Sequence, residues 1–115
     1  MFNVGDSRIY LHHGGELSLI STDDVVAGNL LTQCLGGSGR RADFNPHVQS
    51  VAFPAGSTLL LCSDGLTDMV ADEQVEVILG AAGPDCAPVL LQAALDAGGV
   101  DNVSALVISF SNFGA

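Results

Sequence analysis

The order of apolar patterns predicts an α+β fold rather than a repeating βαβ one. Four or five strand-like segments come first, two helical segments follow, and one strand closes the chain. The apolar run Thr58–Cys62 reads as a strand buried on both faces. A length of 115 residues with 48% hydrophobic content suits one domain with a modest core.

The elements follow from local chemistry. Residues 2–4 read as the end of a strand, and Gly5, Asp6 and Ser7 as a turn. Residues 8–12 alternate as a strand, His13, Gly14 and Gly15 turn a hairpin, and residues 16–20 return. Residues 21–47 are polar and glycine-rich, with an apolar stretch at 30–35 and a flexible glycine loop at 36–39. Residues 48–53 alternate as a strand, and Pro54, Ala55 and Gly56 turn the chain into Thr58–Cys62. Ser63, Asp64 and Gly65 end that strand. Residues 72–79 predict a helix, with Asp72 or its neighbour at the N-cap and Gly80 near the stop. Asp85 is expected to cap a second helix running to about Ala97, with Pro88 tolerable because it falls in the first turn. A loop over 98–102 leads into a strand at 103–110, rich in strong β-formers.

Charge narrows the function classes. There is no lysine, and Arg8, Arg40 and Arg41 face 13 carboxylates, so the net charge is −10. That argues against nucleic acid and anionic membranes as partners and suits cations. Charged residues make up only 14% of the chain, which leaves apolar surface seeking cover. Cys34, Cys62 and Cys86 have no metal-ligand spacing, and three thiols fit a reduced, cytoplasmic protein better than a disulfide framework. No apolar run reaches the roughly 20 residues of a membrane span, and the N-terminus has no signal-peptide pattern.

Three aspartates share one setting, where strands stop. Asp6 lies in a turn, Asp64 follows the buried run, and Asp101 precedes the last strand. Each neighbours Gly, Ser or Asn, where the backbone bends sharply and a short carboxylate can point into a cleft. Aspartate oxygens suit the hard cations Mg²⁺ and Mn²⁺. Taken singly, each is more often a turn or capping residue than a ligand; their order and flanking residues carry the signal.

Those flanking residues resemble a known family. Residues 3–8 (Asn-Val-Gly-Asp-Ser-Arg), 59–68 (Leu-Leu-Leu-Cys-Ser-Asp-Gly-Leu-Thr-Asp) and 99–104 (Gly-Val-Asp-Asn-Val-Ser) resemble three consecutive signature blocks of PP2C-type (PPM) metal-dependent protein serine/threonine phosphatases. Thr22, Asp23 and Asp24 are similar to the family's Thr-x-Asp-His-Ser stretch, and residues 31–36 to its Leu-Thr-Arg-x-Leu-Gly segment. The resemblance covers about residues 2–110 and identifies residues 1–115 as the C-terminal portion of such a catalytic domain. It implies an α-β-β-α sandwich of antiparallel sheets with helices on the outer faces. It also implies an aspartate-built metal centre using Mn²⁺ or Mg²⁺, at which water attacks phosphoserine or phosphothreonine. By position, Asp64 and Asp101 would be ligands of the main binuclear site, and Asp6 with Asp64 would serve a third, weaker one. Ser63, Gly65 and Asn102 are the adjacent motif residues.

The departures matter as much. The family's Asp-Gly-His-Gly block, an acidic pair and a phosphate-binding arginine are not in this sequence. The segment after Asp23 and Asp24 is short and lacks the family's histidine. The chain alone is therefore expected to assemble an incomplete site and to show little or no activity. The alternative is a non-catalytic module that binds divalent metal or a protein partner; a sporulation-type phosphatase would differ only in substrate. Missing neighbours would leave sheet edges open, which predicts a homodimer through the first strand and the strands flanking Thr58–Cys62.

Smaller readings complete the set. Cysteine-phosphatase chemistry at Cys62 needs an arginine six positions on, and residue 68 is Asp. Arg8 is expected to pair with an internal carboxylate rather than substrate, and Arg40 and Arg41 to lie in a solvated loop. His12, His13 and His47 read as surface or turn residues.

Overall fold

The computed structural model describes residues 2, 3, 6–23, 25, 26, 30, 31, 47, 48, 50 and 53–109. The expectations for Cys34, Arg40, Arg41, the loop at 36–39 and positions 49, 51 and 52 lie outside these residues. Eight strands occur among them: β1 (Phe2–Asn3), β2 (Arg8–His13), β3 (Glu16–Leu19), β4 (Val25–Val26), β5 (Leu30–Leu31), β6 (His47–Val48), β7 (Thr58–Cys62) and β8 (Ala105–Ser109). Three α-helices, α1 (Asp64–Thr67), α2 (Asp72–Ala82) and α3 (Cys86–Asp96), lie between β7 and β8.

One antiparallel sheet of order β3-β2-β7-β8 carries the fold. Two further short pairs form, β1 with β6 and β4 with β5. The β2–β3 hairpin closes at Gly14 and Gly15, both at positive φ (61° and 81°), the conformation a two-residue primed turn requires. At the outer edge of the sheet, the Leu17 amide donates to the Glu76 carboxylate of α2 at 2.9 Å. An otherwise unpaired edge donor is thereby satisfied by a helix.

The core lies between this sheet and the helices. Tyr10, Leu60 and Cys62 on the sheet meet Leu66, Val70, Val75, Leu79, Leu90 and Ala94, all buried. The period-2 alternation of β2 puts residues 8, 10 and 12 on the helix-facing side. His12 is therefore not the surface residue expected: it is half-buried, its Nε2 lies beside Gly80 of α2, and that atom has no hydrogen-bond partner among the described residues.

Several boundaries differ from expectation, each for a local reason. Where the sequence predicts a turn after Cys62, α1 forms one helical turn, since Leu66 gains complete burial by folding down onto the core. Helix α2 runs through Gly80 and ends at Gly83, whose φ of 60° breaks the helical path. Its N-cap is Ala71, the neighbour of Asp72 that the sequence also allowed, and α3 has Asp85 at its N-cap as expected, though Asp85 makes no side-chain cap bond. A 3₁₀ turn at Gly83–Asp85 delivers α3 instead. Pro88 occupies the third position of α3, inside the first turn as expected. In the segment predicted as a strand over 48–53, only Val48 is a strand residue among those described.

Candidate functional site at the sheet end

Two ladders converge at one end of the sheet. Arg8 opposes Cys62 in the β2–β7 pairing, so continuing the register two residues sets Asp6 opposite Asp64. Cys62 opposes Ala105 in the β7–β8 pairing, and the ladder runs on past it. The Ser63 amide donates to the Ser104 carbonyl at 3.0 Å, and the Ser104 amide donates to Ser63 Oγ at 3.0 Å. Ser63 thus fastens the start of α1 to the strand that follows Asp101 and Asn102.

Gly65 makes the closest approach in this stitch. A Cβ placed there would stand 2.9 Å from the Asn102 carbonyl carbon and closer still to its oxygen. No L side chain fits, so glycine is what lets the Asp64 turn pack on the Asp101–Asn102 backbone.

The structure brings Asp6 and Asp64 together through their side chains. Partial burial, and after it the negative charge of Asp64, raises the Asp6 carboxyl above its ordinary 3.8. Asp101 approaches only through the backbone. Its carboxylate is exposed and accepts the Asn102 amide at 2.7 Å. Among the described residues no three His, Cys, Asp or Glu side chains form a ready metal cluster. Two facing carboxylates that repel one another fit a divalent cation, which would relieve that repulsion.

Beside this pair runs a network that sequence reasoning foresaw only in part. Arg8 donates from Nη2 to Asp23 Oδ2 at 2.7 Å, and from Nε to both Asp23 oxygens at 3.1 and 3.2 Å. The internal carboxylate expected for Arg8 is therefore Asp23, within the Thr-x-Asp-His-Ser-like stretch. Arg8 Nη1 donates to Tyr10 Oη at 2.9 Å, and Tyr10 Oη donates to Asp72 Oδ1 at 2.9 Å. Burial chiefly pushes the Tyr10 hydroxyl up to about 12, so it stays a neutral donor. Asp23 holds the guanidinium firmly protonated. Asp72 and Tyr10 were not foreseen in this role: their partnership spans 62 positions, and no local pattern marks it.

Burial pushes the Cys62 thiol up to about 11 and also raises Cys86. Neither is poised as a thiolate nucleophile, and both are free, buried cysteines.

With this geometry in hand, known proteins show what the chain is similar to. No family model matches the sequence. "Protein phosphatase PhpP" of Streptococcus pneumoniae is 28% identical over 95% of this chain, and "Serine/threonine phosphatase stp" of Listeria monocytogenes is 33% identical over 92%. Among solved structures, "PppA, a key regulatory component of T6SS in Pseudomonas aeruginosa" superposes with a TM-score of 0.87 at 28% identity over 95% of the chain. The catalytic domain of the serine/threonine phosphatase PstP, in complex with two manganese ions, superposes with a TM-score of 0.78 at 32% identity over 96%. These relatives and solved structures are protein phosphatases of the PP2C (PPM) type, and the chain is similar to them along nearly all of its own length.

It spans about half the length of the relatives it matches, 52% of PhpP and 49% of stp, and 51% of the PppA chain. The antiparallel four-stranded sheet with helices on one face is the part of the PP2C-like fold that this half describes. No helix among the described residues is long and apolar enough to cross a membrane.

Proposed function

We propose that residues 1–115 are the C-terminal portion of a PP2C-like phosphatase domain and supply part of its metal-dependent site for hydrolysing phosphoserine and phosphothreonine in proteins. Asp64 and Asp101 serve as ligands of the main site, and Asp6 joins Asp64 at a third, weaker one. The observation that carries this reading is the side-by-side placement of Asp6 and Asp64 at the sheet end where Gly65 packs on Asn102. Mn²⁺ or Mg²⁺ is the cofactor, a choice supported by the two manganese ions of the PstP structure. When bound, such cations lower the pKa of water and offset charge on phosphate oxygens. This chain's own residues hold the carboxylates in place and keep the thiols out of the chemistry. Free, buried Cys62 and Cys86 suit a reducing cytoplasm, and the net charge of −10 disfavours nucleic acid.

Turnover of a phosphothreonine peptide with Mn²⁺ tests the reading. The chain alone is expected to show negligible turnover. Fused behind the N-terminal half of a relative that carries the Asp-Gly-His-Gly block, it is expected to gain Mn²⁺-dependent turnover that Asp64→Ala removes. A silent fusion overturns the enzymatic assignment. Strong turnover by the chain alone, lost in Asp64→Ala, overturns its status as a partial site.

Self-association is the second element of the reading. Strand β8 pairs only with β7 among the described residues, and Leu106 (56% exposed) and Ile108 (39% exposed) lie on it. Of the strands flanking β7, β2 is covered by β3, so β8 is the edge that a second copy would pair with in a two-fold dimer. Light scattering at micromolar concentration is expected to give twice the monomer mass. A clean monomer with cooperative unfolding would exclude the dimer.

A further inference from the structure

Two carboxylates that face one another across a strand end push apart until a cation arrives. Asp6 is the more easily displaced. It lies two residues before β2, beyond the last ladder pair at Arg8 and Cys62, with exposed Ser7 between. Asp64 is held better, by Ser63 on one side and by the Gly65–Asn102 contact on the other. Something must resist the outward drift of the Asp6 end if the pair is to await a metal in place.

Arg8 is the side chain nearest that end whose bonds are all directed inward. Its fork grips Asp23 through both oxygens, and its remaining arm binds Tyr10. Asp23 is itself anchored, because the segment before it is tied to β2. The Ile20 amide donates to the Ile9 carbonyl at 2.9 Å, and the Ile9 amide donates to Ser21 Oγ at 2.9 Å. Tyr10 carries the connection to Asp72 on α2. The clamp therefore ties the first residue of β2 to the chain after β3 and to a helix.

We propose that Arg8 is a positioning residue for the Asp6–Asp64 cation site, clamping Asp23 so that the strand end carrying Asp6 cannot swing away from Asp64. This deepens, and rests on, the reading of that pair as metal-binding. It also explains why an arginine serves: lysine carries the same charge but cannot grip two oxygens through a planar fork.

Charge and position predict opposite results, which makes the idea testable. As a bare positive charge near the site, Arg8 repels the cation. Arg8→Gln would then bind Mn²⁺ more tightly, and Arg8→Lys would match the parent. As a positioning residue, both variants bind more weakly, by up to about tenfold, the low end of what loss of an outer-sphere partner costs. Calorimetric titration of Mn²⁺ into the chain reads this, with free Mn²⁺ followed by paramagnetic resonance. Circular dichroism establishes that each variant is folded. Should the Arg8 variants not fold, Asp23→Asn breaks the same clamp from the other side. It is measured against the parent in 1 M salt, where screening acts within about 3 Å and removes its charge effect. Weaker binding there supports the proposal, and parity overturns it. Tighter binding by Arg8→Gln, or unchanged binding by Arg8→Lys, also overturns it while leaving the metal reading intact. A parent chain that takes up no Mn²⁺ at millimolar concentration overturns both.

Discussion

Gly65→Ala is expected to disable the site and to destabilise the fold together. The new methyl would enter the space held by the Asn102 carbonyl, 2.9 Å from its carbon. Both sides of that contact are backbone. One belongs to α1, whose Leu66 is completely buried, and the other leads directly into the β7–β8 ladder. Neither can rotate out of the way as a flexible side chain would. Overpacking of this kind costs about 1–3 kcal/mol even where neighbours relax, and this position belongs at the upper end. Relief requires the Asp64 turn and the Asp101–Asn102 segment to separate, and a shift of about 1 Å at a reacting centre can cost on the order of a hundredfold in rate. In a fusion that turns over phosphopeptide, Gly65→Ala is therefore expected to lose at least that factor while its urea midpoint falls. Parental activity and midpoint would show that the approach of Gly65 to Asn102 is not needed.

The legibility of this chain followed the reach of each signal. The Gly14–Gly15 hairpin and the first-turn Pro88 were readable because one or two neighbouring residues decide them, whereas β7, expected to be buried on both faces, buries only the Leu60 and Cys62 face and leaves Leu59 and Leu61 partly exposed. The pairing of Asp6 with Asp64 was implied by the family resemblance alone, and the β2–β7 register continued past Arg8 and Cys62 is compatible with it. What escaped was decided at long range. Asp72 looked like a helix cap, yet its carboxylate takes the Tyr10 hydroxyl, because burial of Tyr10 leaves that hydroxyl in need of an acceptor. Nothing in the sequence singles out Glu76, yet it satisfies an edge amide of β3. Helix α1 was missed because its four residues carry no periodicity of their own, and only the pocket that receives Leu66 makes the turn helical.

Asp64→Asn is expected to move stability in opposite directions with and without metal. Without a cation, Asp6 and Asp64 oppose one another, and Asp6 binds its proton more tightly folded than unfolded. A carboxyl raised on folding favours the native state while protonated. That contribution is lost as pH rises from its ordinary 3.8 through the raised folded value. Metal-free parent is therefore expected to lose stability across that window. Asp64→Asn removes the repelling charge and should lose less, ending near neutral pH more stable by up to about 1 kcal/mol, the scale of charge pairs open to solvent. Millimolar Mn²⁺ reverses the order. A ligand at ten times its Kd stabilises the parent by about 1.4 kcal/mol, which raises Tm by about 5 °C in a domain of this size. The asparagine variant, left with one anionic partner fewer, should gain almost nothing. Such a site gives up fold stability to keep two acids in place for a cation, the exchange expected where function requires strained electrostatics. Thermal unfolding of both proteins at pH 7, with and without Mn²⁺, decides the matter. Equal Mn²⁺ shifts in parent and variant would remove Asp64 from the cation site, and a metal-free variant less stable than the parent would show that the two carboxylates do not oppose one another.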